Sequence, residues 1–229
     1  MPSNRQVNIN TESVDNYLKA ILALGGAEGQ AVSSTALSER LRVAPASITN
    51  MLQKLASARP SYVEYEKRRG VRLSPEGRRR ALEILRHHRL IETFLYEVLD
   101  YPMEEVHEEA ERLEHFISER FEERISTKLR HPKFDPHGHC IPTMDGKMPR
   151  QSSESIGGLD RDGEFVVESV SDEDSALLKR LKAHGIVPGA RINITRRSTE
   201  EILLHRVHSS RTLILTPSLS EAICIRSVS

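Results

Sequence analysis

Apolar residues recur at helical spacing through the first half of the chain and at strand spacing through its last third, and this change of period sorts the 229 residues. Val14, Leu18, Ile21 and Leu22 mark one face of a first helix, with Thr11 or Ser13 as N-cap, and Gly25, Gly26 and Gly29 stop it. Ser33 and Ser34 open a second helix through Leu37 and Leu41. Val43-Ala44-Pro45 breaks it before a third, from 46 to about 56, whose apolar face is Ile48, Leu52 and Leu55. Two short helices around such a break have helix-turn-helix spacing, in which the second helix reads the major groove. The stretch from Tyr62 to Pro75 then alternates like two short strands around an Arg68-Arg69-Gly70 tip, the pattern of a wing.

From Pro75 onward the pattern predicts one helix through Ala81, Ile84, Leu85, Leu90, Phe94, Leu95 and Val98, a break at Asp100-Tyr101-Pro102, and a second helix from 104 to about 123. Two apolar-faced helices of this length need a partner surface, and a symmetric homodimer supplies one. Residues 146–158 read as a flexible linker. Beyond it, short apolar runs at 165–170, 191–195, 202–204, 212–215 and 222–225, with one helix at 176–183, predict a closed five-stranded barrel. The expected architecture is mainly α with a small β domain: a winged helix-turn-helix over 1–74, a helical domain over 75–145, a linker over 146–159 and the barrel over 160–229.

The 33 basic and 33 acidic residues cancel, which taken whole argues against a nucleic-acid binder. Their placement reverses that inference. Residues 1–80 hold 13 Lys/Arg and 7 Asp/Glu, a balance of +6; residues 81–145 hold 8 and 15, a balance of −7; the rest holds 12 and 11. The basic head carries Ser47, Thr49, Asn50, Gln53 and Lys54 off the apolar stripe of its third helix, short groups able to reach base edges or phosphates, and Arg68, Arg69 and Arg72 nearby. Double-stranded DNA is the expected partner. No apolar run approaches the roughly 20 residues of a membrane span, and the polar start lacks a signal peptide's core, so a cytoplasmic protein with no membrane partner is expected. Two cysteines are too few for a disulfide framework, and the absence of Trp speaks against a stacking platform for single strands.

Seven of the ten histidines lie in the acidic middle. His107, Glu111, Glu114 and His115 stand at helical offsets that fall within about a 100° arc, so four donors share one face, and His88 and Glu92, four apart, share another. Such groups are costly to bury unpaired, and a divalent cation removes the cost, since imidazole and carboxylate both ligate. No His-Glu-x-x-His, glycine-rich phosphate loop or nucleophile elbow is present, so neither an enzyme nor a small-molecule substrate is expected. A metal-buffering protein without a DNA role, and a winged-helix regulator of an organic ligand, stay open on these residues alone.

The segments Ser13-Val14-Asp15-Asn16-Tyr17-Leu18, Leu41 to Leu55, Tyr65 to Gly70, His88 to Glu92, His107 to His115 and Asp135 to Pro142 occur in the order of the diphtheria-toxin-repressor family of metal-dependent transcriptional regulators, which the chain resembles over nearly its whole length. The resemblance implies a metal-activated homodimer that represses metal-uptake genes from a pseudo-palindromic operator, with an SH3-like barrel as its C-terminal domain. It implies DNA contacts from Pro45, Ser47, Thr49, Asn50, Lys54, Lys67, Arg68 and Arg69. It implies a principal metal site of Glu111, Glu114 and His115 completed by Asn16, with Asp15 as the neighbouring carboxylate. A second site of His88, Glu92 and His107 would be completed by His137 and Asp135, and Glu168 or Asp172 is in reach of it. The iron-type branch has Cys where this chain has Glu111. A hard carboxylate in place of a thiolate favours Mn(II), with Fe(II) accepted and Co(II) or Zn(II) able to substitute.

Overall fold

A computed structural model describes residues 11–26, 29–149, 154–196, 201–209 and 211–228 of the chain. They fall into two units, residues 1–86 with 142–147 and residues 87–141 with 148–229.

In the first unit the apolar stripes become helices α1 (Thr11–Gly25), α2 (Ser34–Leu41) and α3 (Pro45–Ser57), followed by the hairpin β1 (Val63–Glu66) and β2 (Gly70–Leu73) and the start of α4 (Pro75–Leu99). Ser33 caps α2, its hydroxyl accepting from the Ala36 amide, and α2 stops where Arg42 turns into the left-handed region at φ 53°. Pro45 opens α3, where a missing N–H costs nothing. Leu18, Leu37, Ile48, Leu52 and Leu55 are fully buried together, each worth about 1.5–3 kcal/mol relative to exposure. The predicted order of three helices and a wing is therefore what forms.

This core fixes which side chains of α3 face outward. Pro45, Ser47, Asn50, Gln53 and Lys54 are exposed, whereas Thr49 is half-buried and its hydroxyl donates to the Pro45 carbonyl at 3.1 Å. Lys67, Arg68 and Arg69 are exposed at the hairpin tip, where Arg68 has φ 77° and Arg69 pairs with Glu66 at 3.1 Å. The hairpin is held down by Val32 and Val71, which exchange two main-chain bonds of 2.9 Å. Gly70 allows this approach, because a Cβ there would stand 2.6 Å from the Val32 carbonyl oxygen.

In the second unit the helix expected over 104–123 is two helices, α5 (Val106–Leu113) and α6 (Glu119–Lys128). Ser118 is the reason: its extended backbone ends the first path, and its hydroxyl accepts from the Phe121 amide to cap the next helix. Glu114 and His115 consequently lie in a turn rather than on a continuous helical face. Tyr96 and Leu99 of α4, Leu113 of α5, Phe116 of the turn and Phe121 of α6 stay exposed.

The C-terminal strands are β3 (Glu154–Ser155), β4 (Gly163–Val170), β5 (Arg191–Arg196), β6 (Ile202–Arg206), β7 (Thr212–Leu215) and β8 (Ile223–Ser227), with α7 (Ser175–Ala183) after β4 and the short α8 (Pro217–Ser220) before β8. They form one antiparallel sheet in the order β3-β8-β4-β5-β6-β7. This corrects the expected SH3-like barrel. The sheet has six strands and is open, its edges β3 and β7 not bonded to each other. A bulge between Val167 and Ser169 bends β4, but the inner face is covered instead by Leu177, Leu178 and Leu181 of α7, which join Phe165, Ile192, Ile202, Leu204 and Ile225 in one core. Within the segment read as linker, Ile156 and Leu159 also enter this core.

Candidate metal centre

Helix α4 buries Leu90, Ile91 and Leu95 and, on another face, His88 and Glu92, which are 3% and 0% exposed. His88 is the hub of the site. Its Nδ1 lies 2.7 Å from Glu114 Oε2 and 3.9 Å from Glu111 Oε1, and its Nε2 lies 3.0 Å from Glu92 Oε1 and 3.2 Å from His107 Nδ1. Glu114 Oε1 is 3.2 Å from His115 Nε2. His107 Nδ1 is 3.4 Å from Glu92 Oε1 and 3.5 Å from Asp172 Oδ2. Two groups compact enough for an ion result, His88 with Glu111 and Glu114, and His88 with Glu92, His107 and Asp172. The sequence separates the two sites; the structure makes His88 common to both.

A third group is the loop of Asp135, His137 and His139. Asp135 Oδ1 accepts the main-chain N–H groups of His137 and His139, both at 2.9 Å, and so shapes its own loop. The Val170 amide donates to the His137 carbonyl at 2.9 Å, which moors the loop on β4. Gly138 makes the approach possible at φ 86°, since a Cβ there would sit 1.9 Å from the Glu168 carbonyl oxygen. His137 Nε2 donates to the Met103 carbonyl at 3.0 Å, and its Nδ1 lies 3.7 Å from Glu92 Oε1. Asp135 Oδ2 faces Arg89 Nε at 3.5 Å and His139 Nδ1 at 3.4 Å, and His139 is 3.8 Å from Asp172 Oδ2.

Of the remaining sequence candidates, Glu168 pairs with Arg226 at 3.6 Å and joins none of these groups, so Asp172 is the C-terminal carboxylate that reaches the site. Asn16 belongs to the first unit, where its Oδ1 is buried without a hydrogen bond. Asp15 is held by Arg80 through contacts of 2.8 and 2.9 Å. His139, which is not among the ligands expected from the sequence, is brought beside Asp135 by the tight Gly138 turn.

The charges are finely opposed. Burial pushes the His107 imidazole toward its neutral form, but Asp172 and Glu92 outweigh it and raise its pKa to about 10. Burial likewise opposes ionisation of Glu92, and His88, His107 and His137 overcome it, holding the carboxyl well below the usual range; Asp172 is depressed in the same way by His107, His139 and His137. Glu92 Oε2 and His137 Nδ1 are buried with no hydrogen bond. A carboxylate oxygen and an imidazole nitrogen left so inside one His/carboxylate cluster suit a divalent cation, which satisfies both.

Comparison with known proteins gives the family. Residues 10–71 match the N-terminal DNA-binding domain of the iron-dependent repressors, residues 74–143 their metal-binding and dimerisation domain, and residues 157–227 the FeoA domain. The iron-dependent repressor IdeR of Mycobacterium leprae is 30% identical over 195 residues, covering 80% of this chain and 84% of that protein. The regulator MntR of Listeria innocua is 31% identical over 139 residues, 61% of this chain and 94% of its own length. Among solved structures, a manganese-dependent transcriptional repressor in complex with manganese superposes with a TM-score of 0.84 at 33% identity, covering 94% of this chain and all 100% of that one. ScaR with bound Zn2+ gives 0.80 at 28% identity, covering 94% and 99%. Among the described residues no helix is long and apolar enough to cross a membrane. The chain belongs to the diphtheria toxin repressor and IdeR family of metal-dependent, DNA-binding, homodimeric transcriptional repressors, which are regulators and not enzymes.

Proposed function

We propose that this repressor acts in the cytoplasm on genes of divalent-metal uptake, with Mn(II) as its physiological ion and a pseudo-palindromic operator as its target. The observation that carries the reading is the pair of buried His/carboxylate groups meeting at His88, in a chain that also presents an exposed polar face on α3 and a basic hairpin tip. Glu111, Glu114 and His115 would hold one ion, and Asn16 is a further donor on the resemblance alone. His88, Glu92, His107 and Asp172 would hold the other, with His137 Nδ1 behind Glu92 and Asp135 shaping the loop. When bound, a divalent ion supplies positive charge that neutralises the clustered carboxylates.

The donors are nitrogen and hard oxygen, with Glu111 in place of a thiolate, and this set suits Mn(II) while still accepting Fe(II), Co(II) and Zn(II). On the DNA side, Ser47 and Asn50 are placed to read base edges, with Pro45, Gln53 and Lys54 beside them. Lys67, Arg68 and Arg69 neutralise phosphates, and Thr49 keeps the turn of α3 rather than reading a base. The exposed Tyr96, Leu99, Leu113, Phe116 and Phe121 supply the dimer face.

Operator binding measured at buffered free Mn(II), Fe(II), Co(II) and Zn(II), on DNA from the gene's own upstream region, tests the proposal. Binding is expected only with metal and at physiological free Mn(II). Metal-independent operator binding by chelated protein overturns it, and a response confined to another of the four ions overturns the assignment of manganese.

A further inference from the structure

The geometry points to His87 and Glu122 as a positioning pair that holds the Glu114–His115 turn in the shape its ion requires, an inference that rests on the reading of Glu114 and His115 as ligands. His87 precedes His88 on α4, so the helix sends the two rings to different neighbours. His87 Nδ1 lies 3.3 Å from the main-chain oxygen of Glu114, and its Nε2 lies 3.0 Å from Glu122 Oε2. The two side chains are only 5% and 8% exposed.

A carbonyl oxygen only accepts, so His87 Nδ1 donates to Glu114. Nε2 then faces the Glu122 carboxyl on its other side at 3.0 Å. Glu114 is the C-cap residue of α5, where carbonyl groups run out of partners within the helix, and Glu122 stands in α6 just beyond the Ser118 cap. One imidazole therefore ties the end of α5 and the start of α6 to the helix that supplies His88. It grips the ligand-bearing residue by its own backbone. Glu114 is thereby held with one oxygen at 2.7 Å from His88 and the other at 3.2 Å from His115 by protein contacts alone.

A buried ion pair that served only stability would need no bond to a ligand's main chain. Bonds that orient ligands typically change metal affinity by about 10- to 100-fold. Mn(II) titration of the full-length protein, followed by the EPR signal of the free ion, measures this. His87→Gln and Glu122→Gln are each expected to weaken one bound ion about 10- to 100-fold, to leave the other as in the parent, and to shift the Mn(II) needed for operator binding by the same factor. Parental affinity at both ions, or equal weakening of both, overturns the inference. Glu114→Ala separates the two levels: if it keeps both ions, the ligand reading falls and the inference with it, whereas loss of one ion there with parental behaviour in the His87 and Glu122 variants sinks the inference alone. Should His87→Gln not fold, Glu122→Gln, which preserves shape, decides the matter in the same terms.

Discussion

His107 keeps a proton that a half-buried imidazole would otherwise lose more readily, because Asp172 and Glu92 stand within 3.5 and 3.4 Å of its Nδ1. In the metal-free protein that proton ties α5 to the segment after β4. The folded pKa of about 10 lies above the unfolded value near 6.5, so this stabilisation is complete below about pH 6.5 and is lost as pH rises through 10. Glu92 and Asp172 work on the other side. Their folded pKa values are depressed, so their contribution is present above about pH 4 and is lost as pH falls below it. Thermal melting in chelator should therefore show a plateau between those limits and a decline toward pH 10, and His107→Gln should flatten the alkaline decline; an unchanged slope in that variant would assign it to another group. With His107 as a ligand, as proposed, the same proton would compete with metal. Calorimetry in two buffers of different ionisation enthalpy should find close to one proton released on filling the second centre near pH 7.5, and tighter Mn(II) binding as pH rises.

The loop from Asp135 to Ile141 shows how a short element can be built for one position. Asp135 folds it, Val170 moors it, and Gly138 lets it touch β4. Gly138→Ala adds a side chain 1.9 Å from the Glu168 carbonyl at φ 86°, so the loop must lift. The φ alone costs about 1–2 kcal/mol and the collision adds to it. Metal counting and melting should show the second centre weakened with the Glu114 centre intact; retention of both ions at parental affinity would mean that the loop lies outside the centre. Glycine at this position was visible in the sequence, but nothing local says that a strand thirty residues later presses on it. The same distinction separates what was legible from what was not. The three helices and hairpin of the first unit follow from periods, caps and a proline, all local signals. The polar residues from His107 to His115 were read as one donor set on one helix, yet the apolar period ran on past Leu113 and hid the Ser118 cap that breaks the helix. That the sheet stays open turns on β3, two residues inside a polar stretch, as one edge, and on α7 covering the inner face, neither of which alternation reveals. Asp172 was visible only as a residue in reach. No periodicity marks His87 and Glu122, which tertiary packing buries together.

Charge and chain symmetry decide how these local devices add up. The balance of −7 in residues 81–145 opposes DNA, and two divalent ions alone would reduce it to −3. An ion that displaces the His107 proton brings one net charge rather than two, so the electrostatic gain is smaller than the formal count. On the proposed reading, phosphate contacts come from Lys54 of α3 and the basic hairpin tip, whose number metal leaves unchanged. Non-specific DNA binding at low salt should therefore tighten modestly with Mn(II), while the slope of log affinity against log salt, which counts the phosphates neutralised, stays the same. Operator binding should respond far more strongly, because it needs two reader helices matched to half-sites about 34 Å, or a multiple of it, apart. Linkage then fixes a relation between two independent measurements: the factor by which Mn(II) tightens the dimer on its operator must equal the factor by which operator tightens Mn(II) on the dimer. Titrations of metal with and without operator, and of operator with and without metal, measure both factors at one salt and pH. Equal factors well above the non-specific gain would assign activation chiefly to geometry. A metal effect no larger on operator than on random DNA would leave charge neutralisation as the whole of the switch.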